Sequence, residues 1–440
     1  MTQHDIAALP SSEHKLTKIF NYKVGFIPIP VYIILVLLVT GIMSVKKMGA
    51  DLPTMIAILG LGGATCAEIG NRIPYLRKMG GAAIVAAFLP AYLVSVDVIP
   101  QSLVEPIILF TKSSHFIYLF VSAVVVGSIF TMDRNLILKG FAKIFLPLFI
   151  GSILAFIVGG LVGMVCGLDL KQIMFFISTP VMGGGLGEGT IPLSVGYSEI
   201  LGIDSGKVLA KLLPVILVAN LFAIVICGFL NMVGRRYPHL TGNGQLQITG
   251  DSLLSGNNEE VKEAIDVNWV ISAGICAITL YLAGVLLHVL FGLPGPVCML
   301  FLAVIFKLSN LIPKPLEQGA KTLFQFFLAS VTYPLLFANS VAVTSWSQLV
   351  AAFHPSILIT IFTTVAMLAL VGFLMAKKMG MYPVEAGIVT ACHSGLGGTG
   401  DIAILSAAER MSLLPFAQIS TRIGGAITVM VALLIFAQFG

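Results

Sequence analysis

Apolar stretches of about twenty residues recur along this chain, with almost no charge inside them. A helix of that length spans the hydrocarbon core of a bilayer, where every backbone polar group must find its partner inside the protein. Eleven such segments are predicted, at 28–45, 53–69, 80–98, 115–131, 144–166, 208–234, 268–291, 295–311, 322–341, 347–376 and 413–438. Of 440 residues, 57% are hydrophobic and 10% charged, whereas soluble domains carry roughly 25% charged residues. The expected fold class is therefore an all-α polytopic membrane protein embedded in a lipid bilayer. The net charge of +5 points to no nucleic-acid partner, because topology accounts for where the basic residues lie. Six cysteines are scattered singly in apolar stretches and read as buried thiols, with neither disulfide nor zinc spacing. Residues 1–27 are polar and mixed in charge, unlike a signal peptide, so 28–45 is expected to stay as the first transmembrane helix.

Two further apolar segments, 172–199 and 382–408, are broken by glycine. Lys and Arg concentrate on one side if both segments are re-entrant and residues 1–27 are cytoplasmic. That arrangement puts the C-terminus outside and makes the hairpins dip in from opposite faces. The polar stretch 235–267 reads as a cytoplasmic linker between two units, 46–234 and 268–440, each holding one hairpin. Each unit crosses the membrane an odd number of times, so the two are expected to be inverted repeats, a transporter plan that places the binding site where broken helices meet.

The hairpin tips carry the chemistry. Gly184-Gly185-Leu186-Gly187-Glu188 and Gly397-Gly398-Thr399-Gly400-Asp401 both read Gly-Gly-x-Gly-acid. Glycine lets backbone turn tightly and approach a ligand, and a helix starting after each turn aims free N–H groups at the tip. Two such ends would bind a small anion, and the carbonyls before them would suit a cation. The alternative is that the glycines serve close helix packing only. A nucleotide loop fits neither run. Arg422, within a predicted span, needs a partner at membrane depth, either a carboxylate substrate or an internal acid such as Asp401 or Glu385. Glu188 and Asp401 are candidate sodium ligands, proton acceptors or helix caps. Ser420 and Thr421 could add hydroxyl oxygens or bond back to the previous turn. His393 could take a proton or be a hydrogen-bonded core histidine, and Glu68 pairs locally with Arg72. No nucleophile triad or metal cluster stands out, so no enzyme is expected.

At these residues the chain resembles the 2-hydroxycarboxylate transporter family. The resemblance rests on Met182-Gly183-Gly184-Gly185-Leu186-Gly187-Glu188-Gly189 with Pro192-Leu193-Ser194, on Gly397–Asp401, on Ala408-Glu409-Arg410-Met411, and on Phe416–Arg422. It extends to Ile69-Gly70-Asn71-Arg72-Ile73-Pro74 and the central loop. It implies a homodimeric secondary transporter of the bacterial inner membrane for malate, citrate or lactate, with an elevator-like movement of the hairpin domain. By position, Gly187, Gly398, Thr399 and Arg422 would bind the substrate's carboxylate and hydroxyl groups. The backbone at Val181, Met182 and Gly183, with Thr421, would lie near the cation sites. Citrate-specific sodium members have Asn at Leu186, Arg at Leu396 and a small residue at Glu188. With one arginine fewer, malate is the expected substrate. The expected substrate set is Gly185, Leu186, Gly187, Gly397, Gly398, Thr399 and Arg422. The expected Na+-coupling set is Val181, Met182, Gly183, Glu188, Asp401, Ser420 and Thr421. No cofactor is expected beyond the coupling ion. Proton coupling and exchange remain alternatives, as do an anion channel and the membrane subunit of a decarboxylase sodium pump.

Overall fold

A computed structural model describes residues 22–45, 49–77, 81–132, 141–248, 266–291, 295–342, 344 and 346–439. Apart from one two-stranded ribbon, Lys23–Val24 against Ile27–Pro28, the described chain is helical. The first half runs α1 (Ile29–Val45), α2 (Leu52–Arg72), α3 (Gly81–Ser95), α4 (Gln101–Ser113), α5 (Phe116–Phe130) and α6 (Phe141–Val165). A glycine-broken hairpin follows, ending in α7 (Ile191–Leu201), and then the long α8 (Ser205–Arg236). The second half runs α9 (Val267–Phe291), α10 (Gly295–Leu308), α11 (Lys314–Ser330), α12 (Thr332–Ala342) and α13 (Pro355–Met375). A second hairpin, α14 (Pro383–Cys392) and α15 (Gly398–Ala407), leads to the last helix, α16 (Leu414–Ile419) with α17 (Gly425–Phe439).

Side-chain caps set several starts. Asp51 accepts the Thr54 N–H at the head of α2, and Asp204 accepts the Gly206 and Lys207 N–H groups at the head of α8. Among the described residues, six helices are long and apolar enough to cross a bilayer, or eight if two bent pairs each count as one span. The bent pairs are α4 with α5, at 55°, and α11 with α12, at 40°. The expected segments 115–131 and 322–341 thus cover only part of each pair. The leading arms α4 and α11 carry Glu105, Lys112, Glu317 and Lys321, which break the apolar run that reveals a span in sequence. Segment 347–376 begins later than expected, at Pro355, where His354 accepts the Ser356 N–H. The apolar parts of α1, α3 and α10 are 10–17 residues long, shorter than a full crossing.

Packing crosses between the halves. The paired helices α6 and α13 lie against each other where glycine removes the side chain: a Cβ on Gly159 would fall 2.5 Å from the Thr364 hydroxyl. Helix α12 packs on α2 and α3, and a Cβ on Gly63 would fall 2.4 Å from the Pro334 nitrogen. Helix α5 reciprocates by packing on α9 and α10. Two apolar clusters result. One, including Met55, Phe120, Leu209, Met299 and Leu336, joins α2–α5 to α9–α12. The other, including Ile144, Val215, Cys227, Ile361, Ala391 and Leu405, surrounds the second hairpin. All six cysteines are free thiols; Cys66, Cys227, Cys298 and Cys392 are buried as expected, whereas Cys166 and Cys276 are half-buried.

Part of the expected linker is built into the second hairpin's base. The Ile248 N–H donates to the Gly380 carbonyl at 2.9 Å and the Tyr382 N–H to the Leu246 carbonyl at 3.0 Å. Glu385, fully buried, accepts from the Thr241 hydroxyl (2.6 Å), the Gly242 and Gly244 N–H groups (3.0 and 3.2 Å) and Arg410 Nε (3.2 Å). Glu385 is therefore the partner of Arg410 and not of Arg422. Arg235 bonds the exposed Glu409 carboxylate, holds it below the usual carboxyl range, and ties the end of α8 to the same base. Residues 249–265 of the linker and residues 1–21 of the expected segment 1–27 lie outside the described residues. Breaking a buried ion pair from one side typically costs about 3–5 kcal/mol. Glu385→Gln is expected to lower the melting temperature of the purified protein well beyond an exposed control such as Glu105→Gln. Equal melting of the two variants would show that the Glu385 network does not anchor this base.

Candidate functional site

The site is built where the two glycine tips touch. The first hairpin descends through a π-helical stretch, Gln172–Ser178, and a single turn, Thr179–Val181, then reverses and re-enters a π turn, Leu186–Thr190. Gly184, Gly185 and Gly397 have φ of +74°, +139° and +81°, the left-handed region that a Cβ disfavours. Space forbids a side chain as well. A Cβ on Gly184 would lie 1.9 Å from the Thr421 carbonyl oxygen, so this tip is seated directly on the last helix. The two tips are joined by a backbone hydrogen bond, Leu186 N–H to the Leu396 carbonyl at 3.2 Å. Both of these leucines are buried.

Arg422 sits beside this junction, in a π turn of the last helix, Ser420–Gly424. π turns re-aim a side chain within a helix and are frequent at functional sites. The guanidinium lies over the Phe324 ring at 4.8 Å, and Nη1 donates to the Thr131 hydroxyl at 3.2 Å. Its acidic partner is Glu188, with Nε 3.7 Å from Oε1, and not the Asp401 or Glu385 named as internal candidates. Neither acid caps its helix: the N-cap positions are Gly185 and Gly397, without side-chain cap bonds. The tip glycines instead leave each acid free to face inward.

Asp401 Oδ2 accepts the Thr421 hydroxyl at 3.2 Å. That hydroxyl also lies 3.1 and 3.2 Å from the Ala417 and Gln418 carbonyls, the back-bonded geometry usual in helices. Asp401 Oδ1 and Ser420 Oγ are buried and have no hydrogen-bond partner among the described residues. Val181 and Met182 are fully buried. The Gly183 carbonyl packs so tightly that a Cβ on Gly425 would meet it at 2.3 Å. Gly187 faces an apolar wall, Leu328, Val124 and Phe120. Gly398 and Thr399 open α15, and their side-chain positions lie outside what is described. His393 is a core histidine, with Nδ1 3.2 Å from the Ser420 carbonyl and Nε2 3.4 Å from the Thr428 hydroxyl.

Two contributors escaped sequence reasoning. Asn220, on α8, accepts the Leu396 N–H at 3.1 Å and so holds the second tip. An Asn in the middle of the apolar run 208–234, which also holds Asn231 near its end, was the available signal. Lys307, at the end of α10, is buried, donating to the Phe130 carbonyl at 2.8 Å and pairing with Glu317 at 2.5 Å. It lines one cavity with Arg422, Ile129, Met132 and Met430. Counting charges by loop cannot register that the end of α5 covers it.

Comparison with known proteins gives this geometry its context. Residues 24–434 match the model of the 2-hydroxycarboxylate transporter family. The chain is 46% identical to a citrate/malate-proton symporter of Bacillus subtilis, over 97% of this chain and 95% of the relative. It is 37% identical to a Na(+)-malate symporter of the same organism, over 96% and 94%. It is 28% identical to a citrate/sodium symporter of Salmonella typhimurium, over 96% of each. The two malate-type relatives thus share more of its sequence than this citrate/sodium relative does. These relatives are transporters and not enzymes. This chain, with its apolar helices and paired glycine tips, belongs to the 2-hydroxycarboxylate transporter family and is a multi-pass membrane protein.

Proposed function

We propose that this chain carries malate across the membrane by cation-coupled symport with alternating access, and takes citrate less well. The observation that carries this reading is the meeting of two broken helices, one from each half of the chain, at Arg422, Glu188 and Asp401. Ion and substrate sites of secondary transporters form where discontinuous helices meet. Arg422 is already paired with Glu188 there, and Asp401 is bonded to the neighbouring Thr421, so a dicarboxylate brings negative charge that this one arginine does not balance. Such a substrate binds well only if positive charge enters with it, and that requirement is the coupling.

Na+ is the first reading for the coupling ion. Asp401 Oδ1, Ser420 Oγ and the backbone around Val181, Met182 and Gly183 offer the oxygen-only donors that a hard cation prefers. Proton coupling is the second reading, favoured by the Glu188 carboxylate beside Arg422 and by the 46% relative being a proton symporter by name. The substrate set remains Gly185, Leu186, Gly187, Gly397, Gly398, Thr399 and Arg422. Leu186 and Leu396 bring no charge or side-chain hydrogen bond, which favours two carboxylates over three.

The two-unit plan is supported by element order. A helix pair, a bent pair, a long helix, a hairpin and a final helix occur twice in the same sequence, and α5 and α12 exchange partners reciprocally. Inverted repeats in 46–234 and 268–440, a cytoplasmic N-terminus, an inner-membrane homodimer and elevator-like motion belong to this proposal.

Purified protein in liposomes is expected to accumulate labelled malate when a Na+ gradient is imposed. Accumulation with a proton gradient alone would move coupling to the second reading, and no response to either gradient would indicate exchange. Currents exceeding carrier turnover would mark a channel instead, and dependence on a soluble partner would mark a pump subunit. Arg422→Ala should weaken malate binding by roughly 2–5 kcal/mol, as expected for a lost buried charge contact. Unaltered binding would take Arg422 out of the site. Leu396→Arg is expected to shift competition for uptake from malate towards citrate, and an unchanged preference would detach this position from substrate choice.

A further inference from the structure

The Glu188 carboxylate occupies the junction of the tips. Its Oε2 lies 3.1 Å from where a Cβ on Gly185 would stand and 2.9 Å from where one on Gly397 would stand. Its Oε1 lies 3.7 Å from Arg422 Nε, close enough for an ion pair but longer than a hydrogen bond. Arg422, by contrast, is held independently of that acid, by the Thr131 hydroxyl and the Phe324 ring. The guanidinium is therefore fixed, while its carboxylate partner is a replaceable one.

A symporter has to cross the membrane in two conditions, loaded and unloaded. In the unloaded crossing an anion-binding arginine has no substrate to neutralise it, and an uncompensated guanidinium at membrane depth is costly. We infer that Glu188 is an internal stand-in for the substrate's carboxylate. It neutralises Arg422 during the unloaded return, yields that place when a carboxylate substrate binds, and so permits net uptake instead of obligatory exchange. This rests on the transport reading above and assigns Glu188 a role in the return step, separate from holding the coupling ion.

The geometry fits this role in three respects. Glu188 belongs to the tip of one hairpin and Arg422 to the last helix, so the pair bridges two separate elements of the site. The glycines at 185 and 397 clear the room that the carboxylate uses. The contact is long enough to open without breaking a hydrogen bond.

The test is the ratio of two rates in proteoliposomes of the purified full-length protein. One is gradient-driven uptake of labelled malate into vesicles with no internal malate. The other is exchange into vesicles preloaded with unlabelled malate. Because both rates scale with the amount of folded carrier, their ratio is insensitive to partial misfolding. Glu188→Gln is expected to lower the ratio of net uptake to exchange by about 50-fold or more, the cost of an uncompensated arginine expressed as a rate. Glu188→Asp, which keeps the charge, should hold the ratio nearer to the wild-type value. A wild-type ratio in Glu188→Gln, whether both rates are kept or both fall together, would overturn the inference, as would equal ratios in the two variants. Wild-type protein that neither accumulates nor exchanges malate or citrate would bring down the transport reading itself, a result distinct from a failed ratio.

Discussion

The contact between the two hairpin tips is the constraint on which the rest of the molecule depends. Two polypeptide reversals meet inside an apolar body, joined by the Leu186–Leu396 backbone hydrogen bond. Backbone this close can be satisfied only if side chains are absent, and Gly184, Gly185 and Gly397 supply that absence together with left-handed φ angles. Irregular backbone is tolerated at membrane depth only where protein buries it or where it lines a cavity. The surrounding helices exist in large part to provide that burial.

Each supporting element then has a definable task. The last helix receives the first tip against the Thr421 carbonyl and delivers Arg422 through a π turn. Helix α8 steadies the second tip through Asn220. At the opposite end of the second hairpin, the Glu385–Arg410 network and the chain at 241–248 clamp its base. A hairpin fixed at its base and bonded at its tip is a rigid arm. Through the Leu186–Leu396 bond that arm braces the tip of the first hairpin, which sets Glu188 within a few ångströms of Arg422 on the last helix.

Much of this was legible in the chain alone. The length and low charge of the apolar runs declared a membrane-embedded helical protein. The twin Gly-Gly-x-Gly-acid runs and the isolated Arg422 pointed to the place where the two tips meet, because such residues are expensive in an apolar segment. The bent pairs were read poorly because α4 and α11 are amphipathic and carry charge, which hides them from a search for continuous apolarity. The burial of Lys307 was hidden for a similar reason: it depends on the end of α5 and on Glu317, which only folding brings to it.

Residue type and order therefore determined the class of protein, the number of tips and the identity of the charged groups, since these follow from transfer energies and backbone freedom that act locally. Partner choice was decided only by the tertiary structure. The sequence offered Asp401 and Glu385 as internal acids for Arg422, yet it pairs with Glu188, and Glu385 is already saturated by Arg410, Thr241 and two backbone N–H groups. Asp401 lies beside the neighbouring Thr421 instead. An ion pair falls off steeply with distance and orientation, so which acid meets the arginine is settled by how the two tips and the last helix pack together.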